Sequence, residues 1–136
     1  MVAMARPALL ALLAFMLAMA TATAQDIRPG SSWKNRRGSV LTVATIDARG
    51  SFKGTFENKA AGFGCHDKFD ASGTVTRTHV VFYVTFKNAA LNCNMMTVWR
   101  GTVSGTRLSV RWDLALTNTK TGRLRFYRGV DIFTRM

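Results

Sequence analysis

The residues able to do chemistry in this chain are few. They are two cysteines (Cys65 and Cys93), two histidines (His66 and His79) and a scatter of small polar side chains among three tryptophans (Trp33, Trp99 and Trp112). No serine or cysteine stands at a spacing from either histidine that suggests a nucleophile–base pair, which argues against an enzyme. No His/Cys cluster accompanies the histidines, which argues against zinc. Asp131 is the most telling polar residue: it sits in a strand-like run beside Ile132 and Phe133, where an unpaired carboxylate is costly and so needs a partner. Trp99 and Trp112 read either as walls of a binding site or as core filling. Asn35 and Ser39 read either as ligand contacts or as turn caps. His66 and His79 read as ordinary loop and turn residues, and Trp33 as structural.

These residues need a scaffold, and the N-terminus is not part of it. Arg6 is followed by an apolar run, Ala8 to Ala20, and then by the small-x-small pattern Ala22-Thr23-Ala24. That is the layout of a signal peptide over residues 1–24, with Gln25 as the new N-terminus and export to the periplasm or the extracellular space. The run is shorter than the ~20 apolar residues a membrane helix needs, so no membrane insertion is expected after cleavage. Removing 24 of 136 residues leaves 112, enough for a single domain over 25–136. In an oxidising compartment one Cys65–Cys93 disulfide is the default. The net charge of +12 loses only Arg6 on cleavage. The basic residues are spread along the chain, which favours loose attraction to polyanions over specific nucleic-acid binding.

The exported part carries almost no helical signal. Short β-branched and aromatic runs alternate with Gly, Asn, Asp and Ser. They predict strands at Ser32–Asn35, Val40–Thr45, Ser51–Asn58, Phe69–Thr76, His79–Phe86, Met96–Val103, Arg107–Leu116 and Leu124–Thr134, with Gly129 a candidate interruption of the last. Longer loops are predicted at Lys59 to Asp67 and at Lys87 to Met95. In His79–Phe86 one face holds Val80, Phe82, Val84 and Phe86, and the other holds Val81, Tyr83 and Thr85, as for a strand whose outside meets a second subunit. Eight strands with short connections predict an all-β, antiparallel up-and-down barrel or a sandwich; periodicity does not choose between them.

Several segments occur in a familiar order: Trp33-Lys34-Asn35-Arg36-Arg37-Gly38-Ser39, Gly54-Thr55-Phe56-Glu57-Asn58, Phe86-Lys87-Asn88, Met96-Thr97-Val98-Trp99-Arg100-Gly101, Trp112, and Gly129-Val130-Asp131-Ile132-Phe133-Thr134. Together they resemble the avidin and streptavidin family across essentially all of the exported chain. The resemblance implies an eight-stranded barrel that binds biotin without catalysing a reaction, biotin being a ligand and not a cofactor. It implies that Asn35 and Ser39 donate to the ureido oxygen and that Asp131 and Asn58 accept from the ureido nitrogens. It puts Thr97 beside the thioether sulfur and makes Phe86, Trp99 and Trp112 an aromatic box. Cys65 and Cys93 resemble the paired cysteines of the rhizavidin-like, dimeric bacterial branch, whose bridge ties the loop after strand three to the loop after strand five. The region Asn118 to Gly129 has no tryptophan, whereas tetrameric members place one there that crosses to a neighbour. Both features imply a homodimer, with higher association left open.

The chain also departs from the family pattern. Phe56 stands where a tyrosine usually gives a third donor to the ureido oxygen, a bond worth about 1–2 kcal/mol and on the order of tenfold in affinity. Met95 stands where a serine often meets the ligand carboxylate, and Phe86 replaces a tryptophan. Biotin binding weaker than in the strongest relatives is therefore expected. The alternatives are an avidin-like barrel that prefers another small ligand or a peptide, and a basic secreted inhibitor or structural protein.

Overall fold

The alternating pattern closes on itself. In a computed structural model that describes residues 26–62, 64–89 and 93–136, eight antiparallel strands form one closed barrel in chain order. The leader read over residues 1–24 lies outside the described residues. The strands are β1 (Ser32–Asn35), β2 (Val40–Ile46), β3 (Ser51–Glu57), β4 (Lys68–Thr76), β5 (His79–Lys87), β6 (Asn94–Ser104), β7 (Arg107–Thr117) and β8 (Leu124–Arg135). β1 closes the barrel by pairing with β8, Trp33 opposite Arg135 and Asn35 opposite Phe133. That closure excludes the sandwich. Among the described residues, no helix is long and apolar enough to cross a membrane.

Side chains alternate between inside and outside along the strands, as the two-residue period requires, apart from a register shift between Val43 and Thr45 in β2. β5 shows it best: Val80, Phe82, Val84 and Phe86 are buried, and the residues between them are exposed. The core is the barrel interior, where Phe52, Phe56, Phe82, Trp99, Leu41, Leu108 and Phe133 meet. Trp33 is fully buried and its indole N–H donates to Ser31 Oγ at 3.1 Å, consistent with a structural role.

One strand boundary and one supposed interruption correct the sequence reading. Met95 was expected in a loop but belongs to β6, facing inward opposite Phe86, because the β5–β6 ladder runs on through Phe86–Met95 and Lys87–Asn94. Gly129 does not interrupt β8. It ends an inward-facing cross-strand row, Phe52–Gly73–Phe82–Trp99–Trp112–Gly129. A Cβ at Gly129 would lie 2.5 Å from the Trp112 ring, and one at Gly73 would lie 2.5 Å from the Phe52 ring. Both glycines make room for neighbouring aromatic rings, and strand pairing continues through them.

Candidate functional site

The site begins at the β1–β2 turn. Asn35 Oδ1 accepts from the backbone N–H of Arg37 at 3.0 Å and of Ser39 at 2.9 Å, and Gly38 takes the left-handed conformation (φ +87°) that lets the chain reverse. The two readings of Asn35 are therefore compatible. Its oxygen shapes the turn, and its Nδ2 donor has no protein partner among the described residues.

The turn delivers Ser39 to the β3–β4 loop. Ser39 is 1% exposed and Asn58 5%, and both are hydrogen-bonded, as buried polar groups must be. Ser39 Oγ accepts from the Lys59 N–H at 2.9 Å and donates to Asn58 Oδ1 over a long 3.3 Å. Asn58 Nδ2 donates to the Cys65 carbonyl at 2.8 Å, so the amide oxygen is the atom turned to Ser39. Cys65 is disulfide-bonded to Cys93, linking the β3–β4 loop to the start of β6. Asn88 adds a second tie between the same loops, its Nδ2 donating to the Gly64 carbonyl at 3.0 Å and to Asp67 Oδ2 at 2.9 Å. At the root of the loop the Lys59 ammonium lies 2.7 Å from Glu57, and its hydrogen bond and charge hold that carboxyl below its ordinary range.

Aromatic rings form the apolar walls. Trp99 stacks on Phe82 with centroids 4.7 Å apart at 10°, and it also meets Phe56 at 4.9 Å and Phe86 edge-on at 6.4 Å. Phe86 meets Phe56 edge-on at 5.8 Å and Phe69 at 5.0 Å. Trp112 is half-buried and lies across Gly129. Such a cluster presents flat apolar faces at little conformational cost, because packing already fixes the rings.

Every site residue named from the sequence lies around one recess: Asn35, Ser39, Phe56, Asn58, Phe86, Met95, Thr97, Trp99, Trp112 and Asp131. Counted to its solvent-open mouth, the recess has a volume of about 590 Å³. Asp131 is half-buried, and one oxygen accepts from the Ile132 N–H at 2.7 Å. Thr97 and Met95 are buried in the wall contributed by β6. The recess also takes in Arg37, Ala60, Ala61, Gly62 and Leu114, which the sequence reading did not name as site residues. Leu114 could have been found, since it lies two positions beyond Trp112 on the same face of β7. Nothing in the residue type of Arg37 marked it, since basic residues are spread along the whole chain.

The resulting chemistry is recognition. Donors (Asn35 Nδ2, the Ser39 hydroxyl) and acceptors (Asn58 Oδ1, the Asp131 carboxylate) line the same recess, with aromatic walls around them. Among the described residues no three His, Cys, Asp or Glu side chains gather as metal ligands.

Comparisons with known proteins agree with this geometry. The family model described as "Avidin family" matches residues 23–136. Afifavidin from Afifella pfennigii is 32% identical over 130 residues, covering 83% of this chain and 80% of afifavidin. The solved bradavidin2–biotin complex is similar at 38% identity with a TM-score of 0.70, covering 81% of this chain and 99% of that one. The rhizavidin–biotin complex is similar at 30% identity and a TM-score of 0.69, covering 79% and 91%. With a closed eight-stranded barrel and a family match from residue 23 to 136, this chain belongs to the avidin family.

Proposed function

We propose that the recess binds biotin, held by its ureido ring and enclosed by aromatic side chains, and that the protein catalyses no reaction. The observation that carries this reading is the Ser39–Asn58 pair. The buried Ser39 hydroxyl donates to the buried Asn58 Oδ1 over 3.3 Å, a long bond for this pair, and that oxygen's other contact, from the Ala60 N–H, is equally long at 3.3 Å. A ureido group presents a carbonyl flanked by N–H groups, so it can replace that bond with two better ones. The Ser39 hydroxyl then donates to the ureido oxygen, and Asn58 Oδ1 accepts from a ureido N–H. Asn35 Nδ2 is a second donor for the oxygen, and Asp131 an acceptor for the other N–H. Phe86, Trp99 and Trp112 enclose the rings and exclude water, which strengthens the polar contacts. Thr97 lies against the thioether and Met95 against the valeryl chain. Phe56 adds apolar contact but no donor, so affinity falls below that of a site with tyrosine there.

Two further features belong to the same reading. The protein is exported after cleavage before Gln25, which is consistent with its disulfide. It is also a homodimer through the outer face of β5–β8, where Val81, Tyr83, Met96, Leu124, Phe126 and Val130 are exposed apolar side chains.

Calorimetric titration of the purified protein with biotin tests the central reading. Saturable one-to-one binding per chain is expected. Absence of heat, together with absence of competition against a fluorescent biotin derivative at micromolar concentration, overturns it.

A further inference from the structure

The buried polar groups of the recess are accounted for by a polar ring, but Arg37 is not. Its backbone is held in the β1–β2 turn by Asn35, and its exposed side chain lines the mouth of the recess. It is the only cation lining the recess among the described residues. The ion pairs of the described residues lie elsewhere: Lys59 with Glu57, and Arg100 and Arg128 with Asp113. The turn that carries Arg37 packs against the root of the β3–β4 loop through the Lys59 N–H to Ser39 Oγ bond. That loop contributes Ala60, Ala61 and Gly62 to the same recess, and β6 contributes the buried Met95. None of these side chains offers a hydrogen-bond donor. Among the described residues, this side of the recess therefore combines one guanidinium outside any ion pair with apolar side chains and backbone.

We propose that Arg37 is a specificity-determining residue that recognises the carboxylate at the free end of the ligand, so that the recess prefers biotin to biotin whose carboxyl is tied up as an amide. This rests on the biotin reading above. The ring occupies Asn35, Ser39, Asn58 and Asp131, which leaves the acidic tail to point outward. Asp131 repels that tail and Arg37 attracts it, so the two charges of the recess orient the ligand in the same sense. A guanidinium also offers paired N–H donors that match a carboxylate. Because Arg37 is exposed, solvent and salt screen the contact, and the preference is modest: about two- to fivefold at low ionic strength, carried mainly by the association rate.

The test compares biotin with neutral biotinamide on the purified protein, on Arg37→Gln, on Arg37→Glu, and on Arg49→Ala, which removes an exposed charge from the β2–β3 turn. The expected result is a preference for biotin in the parent protein that weakens as salt rises. It disappears in Arg37→Gln, inverts in Arg37→Glu and persists in Arg49→Ala. A biotin-to-biotinamide ratio unchanged in both Arg37 variants overturns the proposal and leaves biotin binding intact. Failure of the parent protein to bind either ligand overturns the biotin reading, and this proposal with it.

Discussion

Asn58 commits its amide donor to the backbone carbonyl of Cys65, 2.8 Å away, and that carbonyl belongs to a half-cystine bonded to Cys93. The orientation of the amide, and hence which of its atoms meets Ser39, is thereby coupled to a covalent link between two loops. The bridge acts on stability through the unfolded chain and on the site through the loop. A sequence separation of 28 corresponds to about 3–4 kcal/mol of loop-closure stabilisation. Replacing both cysteines by serine is expected to lower unfolding free energy by about that amount. Biotin affinity is expected to fall about fivefold or more, because the loop is no longer ordered before binding. Urea unfolding and calorimetric titration, with and without reductant, measure the two effects separately. Equal affinity in the oxidised and reduced proteins would show that Asn58 is oriented without the bridge.

Asp131 has one oxygen engaged by the Ile132 N–H, and the other has no protein partner among the described residues. A half-buried carboxylate oxygen in that position is available to accept from a ligand N–H, and hydrogen bonds to charged groups are worth about 1.5–3 kcal/mol. Asp131→Ala is therefore expected to weaken biotin binding by about tenfold to a hundredfold. The thermal midpoint of the free protein is expected to move by no more than about 4 °C, since the change removes only a local backbone contact. A midpoint that collapses while the residual folded protein binds normally would assign Asp131 to the fold and not to the ligand.

Phe56 is packed by Phe86, Trp99 and Phe133, and it lines the recess. A hydroxyl added there has a use only when a ligand oxygen is present. Phe56→Tyr is expected to slow biotin dissociation, with affinity rising on the order of tenfold. The free protein is expected to become no more stable, because the new hydroxyl must be desolvated beside aromatic rings. Stopped-flow displacement and thermal unfolding read the two quantities. An unchanged dissociation rate would mean that the ureido oxygen does not come within reach of position 56.

Much of this was legible from residue order, because a barrel strand writes its burial in a two-residue period. Val80, Phe82, Val84 and Phe86 declare the inner face of β5 without any structure. The site residues were legible for a different reason: short motifs of recognisable residue types follow one another in a familiar order along the strands and turns. What stayed hidden depends on pairs of strands distant in sequence. Gly129 looks like a break until Trp112 is seen lying across it from β7. Met95 looks like loop until Phe86 is seen opposite it. Arg37 becomes part of the recess only once the turn has been folded over the loop at Ala60–Gly62. Closure of the barrel is itself a pairing between the first and last strands, and strand periodicity is blind to it.

The outer face of β5–β8 carries the last prediction. Cross-strand rows run Thr85–Met96–Ala115–Phe126 and Val81–Arg100–Arg111–Val130 over the outside of the sheet. Phe126 and Val130 are each 73% exposed, a large apolar loss for an isolated barrel. Between these rows, Asp113 joins Arg100 and lies 3.8 Å from Arg128, so the charges within the face are partly neutralised before any partner arrives. Exposed apolar side chains around a partly neutralised charge cluster suit burial against a second copy of the same face. Phe126→Glu and Val130→Glu together put four carboxylates into a twofold interface, where they repel and must be desolvated. Sedimentation is expected to show a dimer for the parent protein and a monomer for the double variant. Biotin binding per chain is expected to change by less than about threefold, because side chains on the outer face point away from the recess. A parent protein that sediments as a monomer at tens of micromolar would leave the exposed Phe126 and Val130 to some other contact and remove the dimer from the reading.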